Sequence, residues 1–307
     1  MFIVNHRRFF FWLTGLFLVA SVVALVFIPP KLSIEFTGGS LIEVEYTAER
    51  PLHEDTVARI EALGLEASVR ESEEKGLIVR THTLTPTEHG TLISALSDNG
   101  NHPLTELRFN SIGPSLGQEL ATKALYAILA VTLAIMLYIA WAFRKVSRPV
   151  PAWGYGIISV IMLAIDIIVP AGFFAVYAYF TGAQADTLFV VALLALMGYC
   201  INDVIVIFDR IREHLKTNEE QKIVEAFEIT VGKSITETLG RSINTSLTVA
   251  LALLAIVLFG SESVRTFALV MLVGVIIGTF SSIARSAPLL IPVAVWAEKR
   301  LVLKKKK

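Results

Sequence analysis

The chain has a single cysteine among 307 residues, and Cys200 lies inside an apolar run. That excludes a disulfide framework and a thiolate metal cluster. Four of the six histidines, His53, His82, His89 and His102, fall in the most polar stretch without ligand-like spacing and read as surface residues. A complete phosphate-binding loop is also lacking. Val231-Gly232-Lys233-Ser234 resembles the end of one, but Phe227 stands where its first glycine is required, so nucleotide binding is rejected. Ser, His and Asp do not occur at positions that would favour hydrolysis over transport, and the expectation is a non-enzyme without cofactor or metal. Net charge is zero, 27 basic against 27 acidic residues, and nothing points to nucleic acid.

What the chain does have is apolar sequence. Hydrophobic residues make up 54% and the mean hydropathy is +0.64, above the roughly 45–50% usual in soluble domains. Residues 9–28 form a first apolar run, about the length of helix that crosses the hydrocarbon core. Arg7 and Arg8 precede it and no small-residue cleavage site closes it, so it reads as a retained anchor. Further runs at 120–143, 152–179, 187–208, 242–259 and 264–296 bring the count to six spans in lipid. The runs at 152–179 and 264–296 exceed a straight crossing, and Pro170 and Pro288 are their expected kinks.

Basic residues set the expected orientation. Arg7, Arg8, Arg144, Lys145, Arg148, Arg210, Arg212, Lys216, Lys222, Lys233, Lys299, Arg300 and Lys304 to Lys307 all fall on one side, while loops 180–186 and 260–263 carry none. Both termini are therefore expected in the cytoplasm of a bacterial-type inner membrane. The division is 1–30 as N-terminus and first span, 31–118 as a periplasmic domain, 119–298 as five spans with a cytoplasmic helical segment at about 210–238, and 299–307 as a basic tail. The periplasmic stretch is acidic, with fourteen Asp and Glu against seven Lys and Arg.

Within 31–118 the hydrophobic period alternates between strand and helix. Leu41–Tyr46 alternates as a strand, Glu54–Leu63 has helical spacing and ends at Gly64, and Ala67–Arg70 and Gly76–His82 are strands. Thr85-Pro86-Thr87-Glu88 is a capping box that opens a helix to about Leu96, and Thr105–Phe109 is a last strand. The order β-α-β-β-α-β predicts a ferredoxin-like α+β domain between the first two spans of a polytopic α-helical membrane protein. Two glycine-bearing loops flank it. Phe36, Thr37, Gly38 and Gly39 follow the first span, and Gly113, Pro114 and Gly117 precede the second; both suit hinges or tight anchoring turns.

The spans carry few polar residues, and those few point to function. An acid in a bilayer costs roughly 3 kcal/mol on insertion scales, and such acids usually face a partner or a water path. Asn202 and Asp203 interrupt the fourth span. On the fifth, Arg241, Asn244, Thr245 and Thr248 share one narrow arc. Matching depths would allow an Asp203–Arg241 pair, with Asp203 near the cytoplasmic end. Asp166 in the third span is expected to lie deeper, and it joins Asp203, Arg241, Asn202, Asn244, Thr245 and Thr248 as a candidate proton-transport residue. Gly274, Gly278, Ser282 and Ser286 recur every four residues as a packing ridge whose partner could be this chain or another. Arg285, near the end of that span, is expected to snorkel, and Asp209, Arg210 and Arg212 read as boundary charges.

These segments together resemble the SecF family, the smaller membrane subunits of the bacterial SecD–SecF protein-export complex, related to the resistance-nodulation-division transporters. The resemblance rests on Phe36-Thr37-Gly38-Gly39, on Gly113-Pro114-Ser115-Leu116-Gly117, on the run from Gly198 through Asn202-Asp203 to Glu213, and on Arg241 to Ser246. It implies proton-motive-force-driven help to protein secretion, with a SecD-like six-helix subunit and the SecYEG channel as partners and a preprotein at the periplasmic domain. It places the functional aspartate at Asp203 and the functional arginine at Arg241. Where the family commonly shows His-Asp, this chain has Ile165-Asp166. The readings from other classes are half of a proton-coupled small-molecule efflux pump, or a passive scaffold that moves no protons.

Overall fold

The computed structural model describes residues 2–72, 74–144 and 149–305; Lys145, Arg148, Lys306 and Lys307, used above for orientation, lie outside the described residues. Among the described residues six helices are long and apolar enough to cross a membrane: Arg7–Phe27, Pro114–Ala142, Ala152–Thr181, Thr187–Glu220, Phe227–Phe259 and Val264–Ala297. Two of them outrun the expected spans. The fourth, 34 residues long, extends about 50 Å at 1.5 Å per residue, against about 30 Å of hydrocarbon.

The excess of the fourth and fifth helices is a polar hairpin, and ion pairs hold it. Arg210 bridges Glu213 and Glu237 at 2.5 Å each, His214 meets Glu237 at 3.0 Å, and Arg212 pairs with Asp209 within its own helix. At the turn, Lys222 adopts a left-handed φ of 54°. Glu225 beyond it accepts from Lys233, Thr230 and Asn218. Those donors, the Lys233 ammonium foremost, hold the Glu225 carboxyl below the usual carboxylate range. Solvent screens exposed pairs of this kind, so the network orients the hairpin more than it stabilises it.

The sixth span is not one α-helix. Glu262–Ser281 gives way to a π-helical turn at Ser282–Ser286 before the α-register resumes at Ala287–Lys305. Pro288 has no N–H to return to the Ala284 carbonyl, so an α-register cannot complete there. The expected kink at Pro288 thus takes the form of a wide turn just before it. Pro170 lies inside the continuous helix Ala152–Thr181.

The small domain consists of β1 (Gly39–Tyr46), α1 (His53–Ala62), β2 (Ala67–Ser72), β3 (Gly76–Thr81), α2 (Pro86–Leu96) and β4 (Leu104–Ile112). All pairings are antiparallel, in the order β2-β3-β1-β4, with a bulge between Glu43 and Val44 where β1 meets β4. Alternation explains the core: Ile42, Val44 and Tyr46 point to one face of β1 and bury against Leu77 and Val79 of β3, Ile60 of α1, and Leu92 and Leu96 of α2. The Tyr46 hydroxyl donates to the Leu96 carbonyl at 3.1 Å. The capping box forms as the sequence predicts, with Thr85 Oγ1 accepting from Glu88 N and the Glu88 carboxylate accepting from Thr85 N at 2.8 Å. The Thr85 N–H, together with the Thr85 hydroxyl, which also donates to that carboxylate, holds the Glu88 carboxyl below its usual range.

Contacts divide the chain into two units: Met1–Pro30 with Ala127–Ala183 and Leu188–Lys307, and Lys31–Tyr126 with Gln184–Thr187. The return of 184–187 was not legible in the sequence. Leu32 bridges Ala185 in parallel, Ser33 N donates to Ala185 O at 2.8 Å, and Ala185 N donates to Lys31 O at 2.9 Å. Glu35 then accepts from Thr187 N at 2.6 Å. A carboxylate from elsewhere in the chain thereby caps the fourth span, where the helix dipole favours negative charge.

Inside the second unit the two glycine-bearing loops meet. Gly38 has φ +78°, and a Cβ there would stand 2.7 Å from Pro114 Cα. A Cβ on Gly117 would stand 2.7 Å from Gly38 N and 3.0 Å from Phe36 O. Phe36 is buried, Thr37 Oγ1 donates to Ser33 O, and Gly39 also has positive φ. Gly113 differs: a Cβ there meets nothing within 4 Å. Gly38→Ala is therefore expected to lower stability by about 1–3 kcal/mol, and Gly113→Ala by much less. The two thermal midpoints, measured on the full chain in detergent, check this; equal losses would remove the account.

Candidate functional site

The membrane unit packs around a continuous apolar core that includes Tyr155, Met162, Met197, Val204, Phe208, Ile235 and Leu290. Phe143, Tyr155 and Phe208 form an aromatic trio within it, with centroids 5.0 to 6.0 Å apart. Two carboxylates are set into this unit with almost no exposure, Asp166 at 1% and Asp203 at 4%. Each lies about 15 residues, roughly 23 Å of helix, from the loop joining the third and fourth spans. Counted from that loop, the two lie at similar distances along their helices. The buried thiol of Cys200 is within electrostatic reach of both.

The small-residue ridge explains how these groups come so close. A Cβ on Gly274 would strike the Leu196 side chain, and one on Gly278 the sulfur of Cys200. Leu196 and Cys200, one turn apart on the fourth span, thus fill the hollows left by Gly274 and Gly278 on the sixth. The ridge's partner is within this chain. Ser282, next along it, is fully buried and starts the π turn. A polar ladder ties in the fifth span: Tyr199 donates to Ser246 Oγ at 3.0 Å, and Thr279 Oγ1 donates to the same atom at 2.5 Å.

Asp203 is not paired as the sequence suggests. No Asp203–Arg241 ion pair within 4 Å occurs among the described residues; Arg241 acts on Asp203 through space, from an exposed position. The Ser242 hydroxyl faces the carboxylate instead, without closing a hydrogen bond, and Asp203 Oδ2 and Ser242 Oγ are both buried and unpartnered. The physical reason is helical phase. Ser242 and Ser246 turn inward, so Arg241, Asn244, Thr245 and Thr248 share the opposite, exposed side, with Asn202 exposed on the fourth span. Thr245 and Thr248 bond the carbonyls of Arg241 and Asn244 on their own helix.

The pair that does form joins Asp166 and Arg285, 3.8 Å apart and both buried. Arg285 therefore does not snorkel. The π turn directs it into the bundle, where the third-span carboxylate compensates its charge. Both Asp166 oxygens and Arg285 Nε and Nη1 have no hydrogen-bond partner in the structure. Sequence reading missed this pair. An arginine three residues past Ser282, the lone charged residue between Arg265 and Glu298, was the available signal.

A family described as protein export membrane protein SecD/SecF, C-terminal, matches residues 92–296, and the SecD/SecF GG motif matches 23–49, around Gly38 and Gly39. Protein translocase subunit SecF of Anaerolinea thermophila is 36% identical over 292 residues, covering 94% of this chain and 92% of that protein. The subunit of the same name from Thermobaculum terrenum is 34% identical over 304 residues, again covering 94% and 92%. The crystal structure of SecDF, a translocon-associated membrane protein from Thermus thermophilus, superposes with a TM-score of 0.79 at 28% identity, over 97% of this chain and 38% of that one. A SecDF in a super-membrane-facing form gives 0.67 at 27% identity, covering 99% and 40%. The chain thus spans about two fifths of the SecDF chains it matches, but nearly the whole of its SecF relatives. With six membrane-length helices, an antiparallel sheet domain and these matches along its length, the chain belongs to the SecD/SecF family of protein-export membrane proteins.

Proposed function

We propose that this chain is an accessory subunit of the Sec protein translocase, without enzymatic turnover of its own, that draws on the proton motive force to assist preproteins across a bacterial inner membrane beyond the SecYEG channel. Both termini face the cytoplasm, and 31–118 is a ferredoxin-like periplasmic domain that meets the emerging polypeptide. The β-α-β-β-α-β order and the sheet order β2-β3-β1-β4 support that fold reading.

The observation that carries the proton reading is the half-built site on spans four and five. Asp203 is buried with an unpartnered oxygen, while Arg241, Asn244, Thr245, Thr248 and Asn202 are exposed on membrane-length helices. Intramembrane polar groups face a bundle interior or a water path rather than lipid. Such a stripe fits completion by a second six-helix subunit of the SecD kind, which would bring Arg241 and its neighbours into a closed pathway. Asp203 takes up and releases the proton, Ser242 orients its carboxyl, and Arg241 biases the charged form from a distance.

The energy limits what the domain can do. One charge crossing 100 mV is worth about 2.3 kcal/mol, whereas moving a two-state element from 1:99 to 99:1 needs about 5.5 kcal/mol. One proton can bias a balanced rearrangement, as in a clamp or ratchet, and cannot forcibly unfold a domain. The test of the assembly is copurification. Tagged chain extracted from native membranes is expected to bring down a second six-span protein and the export channel, and Arg241→Leu with Thr245→Leu to weaken the first interaction. Recovery of the chain alone, or with a drug-efflux partner, would replace this reading with the scaffold or pump.

A further inference from the structure

The Asp166–Arg285 pair takes no part in the pathway described above, and its construction is unusual. It joins the third and sixth spans across a buried gap of 3.8 Å. Arg285 is the fourth residue of the π turn Ser282–Ser286, in which the Ser286 hydroxyl donates to the Ser282 carbonyl. Single π turns inside helices widen the backbone locally and recur at functional sites. Here the turn delivers a guanidinium to a carboxylate that would otherwise be the sole charge on the third span. The pair is under-bonded: both carboxylate oxygens and two of the guanidinium nitrogens are buried without a hydrogen-bond partner. A structural ion pair in a bundle core is normally closed by further hydrogen bonds.

The groups facing the pair are few. The fourth span presents Cys200 and, beyond it, Asp203; the sixth presents Ser281, whose hydroxyl lies between Asp166 and Met162. The fifth presents Ser242 to Asp203, with Arg241 acting from outside. The first span buries only Thr14 and Ser21, neither ionisable, and the second buries Ile139 and Phe143. Arg285 is the cation within ion-pair range of Asp166, while Arg241 is the one that acts on Asp203.

We propose that Asp166 is a second proton-binding site of this chain and that Arg285, held by the π turn, is its built-in counter-ion. A proton from water adds to one Asp166 oxygen, giving a carboxylic acid and leaving the guanidinium as a net positive charge between spans three and six. The inference deepens the proton-driven reading, and it stands on the geometry of one chain.

The test is infrared spectroscopy of the full chain in liposomes, with aspartate isotope-labelled, following the carboxylic-acid carbonyl band as pH is changed. Neither a gradient nor a partner subunit is needed, so this experiment can fail while export stays gradient-driven, and the reverse. The expected result is a titrating band that Asp166→Asn removes and Asp203→Asn retains. Arg285→Gln is expected to move its midpoint upward by about 1–3 pH units, the usual influence of an opposite charge at this range, and Arg285→Lys by less than about one. An intact band in Asp166→Asn, or an unmoved midpoint in Arg285→Gln, overturns the proposal. If Arg285→Gln does not fold, the double variant Asp166→Asn with Arg285→Gln, free of both charges, is expected to fold again; its failure overturns the pairing.

Discussion

Asp203→Asn is expected to remove the proton-gradient-dependent part of protein export in membrane vesicles while leaving the chain folded and in its complex. The substitution keeps shape and takes away only the ability to exchange a proton. Because Asp203 Oδ2 has no hydrogen-bond partner, replacing the carboxylate breaks no ion pair and leaves no new charge stranded. At 100 mV the work of one charge corresponds to about 2.3 kcal/mol, or up to about a 40-fold bias in a two-state equilibrium. Stimulation of export by an imposed gradient should fall toward unity, and Asp203→Glu should keep part of it. Undiminished stimulation in Asp203→Asn would falsify the carrier role. A charge swap, Asp203→Arg with Arg241→Asp, is expected not to rescue, since the two positions occupy different environments: Asp203 is buried and Arg241 exposed.

Gly172→Leu is expected to destabilise the membrane unit by about 3 kcal/mol or more, the upper range for overpacking. A Cβ at Gly172 would stand 2.5 Å from Ser21 Cα and closer still to its Cβ. The obstacle is the backbone of the first span, which cannot move aside by changing rotamer. Gly15, on the same first span, provides the control, because a Cβ there meets nothing within 4 Å. Thermal unfolding in detergent should show a large loss for Gly172→Leu and almost none for Gly15→Leu. Similar losses would mean that the first span does not depend on this close approach.

Local chemistry was the legible part of this molecule. The strands around Ile42, the helix opened by Thr85 and Glu88, and the anchoring role of Gly38 follow from period, capping and backbone freedom, each encoded within a few residues. Helical phase was half legible. The arc shared by Arg241, Asn244, Thr245 and Thr248 is real, but a wheel does not say which side meets the bundle, and burial of Ser242 and Ser246 decided it. The contact between Asp166 and Arg285 joins residues far apart in sequence through a turn with a non-α register. Counting residues to the end of an ideal helix therefore misplaced Arg285. Hydropathy also ends the fourth span well before its helix, which runs on to Glu220 in polar sequence.

The stitch between Leu32, Ser33 and Ala185, closed by Glu35 on Thr187, has a mechanical meaning. A domain inserted between two spans would hang from two chain crossings, free to swivel about them. This one is moored at four, since the third span runs directly into 184–187 and the fourth runs directly out. Any load taken up by the sheet domain therefore pulls, through continuous backbone, on the two helices that carry Asp166 and Asp203. On the proposed export reading, polypeptide held by the sheet domain and the carboxyls of Asp166 and Asp203 are thereby joined through the short link 182–186.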